Sequence, residues 1–143
     1  PGGRSMGMIV RNAMVNEEMK LSKVELTNGR WIWKPPFVIS PGSSGIWNVV
    51  FDGKDASSSA MVMVRYNVNE KEYLGFEWQG RTNRFGTEHF GSLFLPLQEG
   101  GPPEKVPRAF RTTSKNGPNK DYTEWIVERI PENEVLVKPF NEI

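Results

Sequence analysis

A chain of 143 residues, 37% hydrophobic and 24% charged, has enough apolar material for a single core and lies outside the disordered class. Eighteen basic residues against seventeen acidic ones leave a formal charge of +1, so no whole-molecule field draws it to nucleic acid or to an anionic surface. With no cysteine there can be no disulfide, thiolate metal site or cysteine nucleophile.

Pro1–Ser5 read as a cloning remnant ahead of a native start at Met6 or Met8, and are left out of the expected fold. No secretion signal is evident and no apolar run reaches spanning length. Residues 7–14 are rich in β-formers. Residues 19–26 alternate apolar and polar with a slip at Lys23 that predicts a bulge. Thr27-Asn28-Gly29-Arg30 predicts a hairpin or tight corner. Trp31 and Trp33 follow, two apart and so expected on one face, before the corner at Pro35 and Pro36.

Beyond that corner, Pro41-Gly42-Ser43-Ser44-Gly45 reads as a turn and lacks the Lys-Ser/Thr of a phosphate loop. Strands are predicted over 45–53, 59–68 and 71–80, the last two joined as a hairpin by a polar turn, and over 85–97. Residues 98–121 carry four prolines and read as a long basic loop with Lys105, Arg108, Phe110, Arg111, Lys115 and Lys120. Strands at 122–130 and 134–140 close the chain. The expected fold is all-β, an antiparallel β-sandwich of about eight to nine strands in one domain spanning 6–143.

Chemistry-bearing constellations are few. His89 is the sole histidine, Asp52 and Asp55 lack the glutamate that would complete a calcium loop, and the pairs Glu72/Glu77 and Glu124/Glu128 suit a solvated strand face. The expectation is no enzyme, no metal and no cofactor. Trp47, Trp78 and Trp125 sit in apolar strands and are assigned to the core. The candidate ligand-binding residues are Trp31, Trp33, Arg81, Arg84, Phe85, Arg108, Phe110 and Arg111, which combine aromatic and basic groups suited to a lipid interface.

Across the first half of the chain, Asn12, then Met19, Leu21, Leu26, Gly29 and Trp31, then Pro35 and Pro36, then Ile39, Pro41, Ser43, Ser44 and Gly45 resemble the pattern of the aegerolysin-like family. The branch concerned is related to small crystal proteins of spore-forming bacilli and to fungal homologues. This resemblance implies a β-sandwich without catalytic residues that binds membrane lipid headgroups. It also implies a part in a cytolytic or insecticidal system, with a separate pore-forming protein as partner. The corresponding address is a soluble protein, cytoplasmic or released by an unconventional route, acting at a membrane surface. The alternative is a lectin-like or effector-type protein that recognises a glycan or a host protein. Nucleic acid is not an expected partner.

Overall fold

Alternation along the strands builds the molecule. In the strand Ser44–Phe51, Gly45, Trp47, Val49 and Phe51 are buried while Ser44 and Ile46 are exposed. The same period of two recurs in Tyr122–Arg129, where Thr123, Trp125 and Val127 turn inward. The computed structural model describes residues 4–51, 59–70, 72–81, 89–96, 110–117 and 122–130.

Among these residues there are ten strands: β1 Arg4–Asn12, β2 Met19–Thr27, β3 Gly29–Trp33, β4 Val38–Ile39, β5 Ser44–Phe51, β6 Ser59–Asn67, β7 Glu72–Arg81, β8 His89–Pro96, β9 Phe110–Asn116 and β10 Tyr122–Arg129. They form two five-stranded sheets, ordered β3-β5-β1-β10-β9 and β4-β2-β6-β7-β8. Aromatic contacts join the sheets face to face. Phe51 of β5 stacks on Trp78 of β7 at 4.7 Å, and Trp47 meets Tyr66 of β6 at 6.0 Å and Phe76 of β7 at 6.1 Å. The fold is therefore a β-sandwich, with Trp47, Trp78 and Trp125 in its core as the sequence suggested.

Several details depart from the sequence reading. One neighbouring pair is parallel, since β1 runs alongside β10 with Gly7 opposite Tyr122 and Asn12 opposite Val127. Short-range hairpin signals cannot report a pairing between the two ends of a chain. Arg4 and Ser5 belong to β1, opposite Phe51 and Val50, although the first five residues were expected to lie outside the fold. The Asn28-Gly29 turn is the corner and not the hairpin: β2 and β3 lie in different sheets, and Asn28 takes the left-handed φ of 59° that this crossing requires.

The segment expected to be one long loop contains β9, which pairs with β10 from Phe110 opposite Arg129 to Asn116 opposite Thr123. Its sequence, Phe-Arg-Thr-Thr-Ser-Lys-Asn, has one large apolar residue, so alternation was invisible there. The predicted bulge is present, as the β2–β6 register shifts between Leu21 and Lys23. Asp52, Asp55 and the strand predicted at 134–140 lie outside the described residues.

Phe51 is fully buried between the sheets and stacks on Trp78. Phe51→Ala is expected to lower the unfolding free energy by about 3–5 kcal/mol, the cost of a large-to-small change in a close-packed core. Urea denaturation followed by tryptophan fluorescence measures it, and a loss below about 1 kcal/mol would contradict this account of the core.

Candidate functional site

Because β1, β3 and β10 run one way and β5 the other, Asn12, Arg129, Ser44 and Trp33 all reach the same end of the sandwich. The segments that cross between sheets at this end, 13–18 and 34–43, are held by one buried side chain. The Asn12 carboxamide donates to the Glu17 carbonyl at 2.7 Å and to the Ile39 carbonyl at 3.0 Å, and accepts from the Met14 amide at 3.0 Å. Its backbone N–H donates to Ser43 O, and its carbonyl accepts from Gly42 N. Each polar group of this fully buried residue has a partner, which is what makes its burial tolerable.

The Ser40–Ser43 turn closes with Ser43 N donating to Ser40 O. Pro41 at its second position and Gly42 at its third, with φ of 81°, match the chemistry of a type II turn. Gly45 follows where a Cβ would fall 2.5 Å from Ile39 Cδ1 and 2.9 Å from Ile39 Cγ1, so any larger residue would force the buried Ile39 side chain to shift. Tyr66 donates its hydroxyl to the Pro36 carbonyl at 2.7 Å, and burial pushes its phenol pKa well up. Leu21 N donates to Phe37 O at 2.8 Å. The Pro35–Ser44 stretch is thus tied down along its length.

Large apolar side chains on and beside this fixed stretch face solvent. Phe37 is 84% exposed and Trp33 62%, with Ile32, Val38 and Ile46 each near half. Lys34 and Lys20 are exposed beside them. The expected same-face pair of Trp31 and Trp33 does not form. The β3–β5 register sets Trp31 opposite inward-facing Val49 but Trp33 opposite Asn48, so the bulge at Ile32 breaks the alternation. Trp31 packs against the core and Trp33 projects outward.

The remaining candidate residues do not join this patch. Phe110 is fully buried, with the Arg129 guanidinium 4.2 Å above its ring, and so is a core residue where an exposed anchor was expected. Arg111 is exposed on β9, at the opposite edge of the sheet from β3 and Trp33. Arg81 ends β7 at the far end of the sandwich. Arg84, Phe85 and Arg108 lie outside the described residues. The sequence reading missed Phe37, Val38 and Ile46. Phe37 follows two prolines with no polar partner in its own turn, a signal that was available.

A charged cluster braces the same end. Arg129 donates from Nε and Nη2 to the Glu17 carboxylate at 2.8 and 2.7 Å, and from Nη1 and Nη2 to Glu72 at 3.0 Å each. One guanidinium thus joins β10, the 13–18 crossing and the start of β7. Hydrogen bonding to Glu17, against the cost of burial and with further help from Glu72, holds the Arg129 pKa above its ordinary range. Burial works against the Glu72 carboxylate, but the hydrogen bonds from Arg129 and Asn69 prevail and hold its pKa below the usual value. These carboxylates are committed to Arg129. Glu72 and Glu77 do not act as a pair, since Glu77 accepts from Gln79 on the outer face. An open cleft of about 300 Å³ lies between Lys20, Leu21, Asn67 and Glu70. Among the described residues no cluster of His, Cys, Asp and Glu suits a metal ion, and no helix is long and apolar enough to cross a membrane.

No family model matches the sequence, and no curated protein matches it. Among solved structures the chain is similar to the lipid binding protein Nakanori. That similarity has a TM-score of 0.57 at 11% identity and covers 86% of this chain and 70% of Nakanori. At that identity the likeness concerns the fold, and it agrees with the two-sheet architecture above.

The lowered Glu72 pKa fixes a pH dependence. A depressed carboxylate contributes stability that is whole above its unfolded value, near 4.5, and is lost as pH falls through the folded value. Wild-type protein is therefore expected to lose unfolding free energy below about pH 4.5 more steeply than Arg129→Met. Urea midpoints taken between pH 7 and pH 3 test this, and equal slopes would remove Arg129 as the cause.

Proposed function

We propose that this protein is a non-enzymatic lipid-recognition module that meets a bilayer interface with the end of the sandwich bearing Trp33 and Phe37. The observation that carries the reading is exposure of Trp33, Phe37, Val38 and Ile46 on backbone fixed by buried hydrogen bonds. Large apolar groups held in water on a rigid frame lose free energy only when something apolar covers them. An indole and a phenyl ring beside lysines suit the boundary between acyl chains and headgroups, where Lys34 and Lys20 can reach phosphate.

Two considerations support lipid over another apolar partner. Nakanori, a solved structure of similar fold, is a lipid binding protein. The resemblance of residues 12–45 to the aegerolysin-like pattern points the same way, and extends the reading to a cytolytic role beside a pore-forming partner. The basic groups first expected to supply headgroup contact, Arg81 and Arg111, are at the other end and the other edge. In this reading Lys34 and Lys20 take that part.

Co-sedimentation with vesicles of phosphatidylcholine, alone and with sphingolipid, sterol or anionic lipid, tests the proposal. Trp33→Ser combined with Phe37→Ser is expected to weaken binding about thirtyfold to several hundredfold, since partial burial of each ring contributes on the order of 1–2 kcal/mol. Lys115→Ala, at the distant end of β9, should leave binding unchanged. If wild-type protein pellets with none of the mixtures, the reading fails, and a glycan-array signal would then favour the lectin-like alternative.

A further inference from the structure

Val15 is 93% exposed, more than any other large apolar side chain described, and it stands at the bend of the 13–18 crossing. An isolated surface valine needs no explanation, but this one sits on a segment fastened at both flanks. On one side, Ala13 N donates to Val127 O and Met14 N to Asn12 Oδ1, with Met14 itself buried in the core. On the other, the Glu17 carbonyl accepts from Asn12 and its carboxylate takes two hydrogen bonds from Arg129. The valine is therefore displayed and cannot simply fold back on the core.

The same Asn12 amide nitrogen also holds the Ile39 carbonyl. Bonding both carbonyls from one atom makes the Val15 segment and the Phe37–Ser43 segment neighbours of fixed relative position. We infer that Val15 is a second point of insertion into the lipid interface, set by Asn12 at a constant position relative to Phe37. The inference rests on the lipid reading above and extends its contact surface from the β3–β4–β5 edge to the middle of the sandwich end.

Charge around the two points differs. Lys34 flanks the first, whereas Glu18 is exposed beside the second and Glu17 is already neutralised by Arg129. An anionic headgroup layer repels Glu18, so the second contact is weakened there and the first is not. Two rigid points also make binding depend on both, because loss of either leaves the frame tilted and partly uncovered.

The absence of native cysteine allows a single reporter to be placed at will. Val15→Cys, Phe37→Cys and, as a control at the far end, Lys115→Cys are each labelled with an environment-sensitive fluorophore. Each is then titrated with phosphatidylcholine–sphingolipid–sterol vesicles. Blue shifts at positions 15 and 37 with a common midpoint, and none at 115, are expected. A shift at 37 alone overturns the second insertion point and leaves the lipid reading standing. Shifts at neither position overturn both. As a measurement without a label, Val15→Asp is expected to weaken co-sedimentation of otherwise native protein about tenfold, and unchanged binding would count against the inference.

Discussion

The buried carboxamide of Asn12 is the constraint on which the functional end depends. A fully buried asparagine in an apolar core is costly unless its donors and acceptor are all used, and here they join the end of β1 to the crossing that follows it and to Ile39 of the other sheet. Two sheets packed by aromatic contacts would form a sandwich without it. The crossings at 13–18 and 34–43 would then have no common reference. With it, the ends of β1, β2, β4 and β5 are fixed together, and the apolar residues between them are held out in water.

Arg129 supplies the complementary brace on the other side of that end. Its guanidinium lies on the Phe110 ring and bonds two carboxylates, one from the 13–18 crossing and one from β7. The group is about one quarter exposed, so the cluster is screened from solvent without being buried outright. Its worth lies in geometry more than in net energy, because desolvation offsets much of the attraction in such a pair. Breaking it would leave two carboxylates facing each other. Together, the neutral hydrogen-bonded hub and the charged clamp keep the end rigid, and rigidity lets exposed apolar groups bind without first paying an ordering cost.

Much of the architecture was legible in the residues. Apolar segments set between turn residues marked β5, β6, β7 and β10, the slip at Lys23 marked a real bulge, and Trp47, Trp78 and Trp125 were recognisable as core. What escaped was non-local or weakly patterned. The parallel pairing of β1 with β10 joins residues over a hundred positions apart, and β9 shows one large apolar residue among polar neighbours. The site was half legible. Trp33 was identified, but a single-residue bulge turned it away from Trp31, and such a shift reverses the face of each residue after it. Phe110 looked like an exposed aromatic among basic residues because nothing local records that it faces Arg129 across a strand pair. Asn12 gave no sign of its role, which requires partners at 17, 39 and 43.

The central claim is that this end of the sandwich meets its lipid as a preformed rigid surface. Hydrogen exchange at the amides of Asn12, Leu21 and Gly42, measured with and without vesicles, tests it most directly. These amides donate to Ser43, Phe37 and Asn12 respectively, and they close the crossings. Protection at all three should be unchanged or increased when the protein is bound. Faster exchange at these positions on binding would mean that the hub opens to make contact, and would contradict the account.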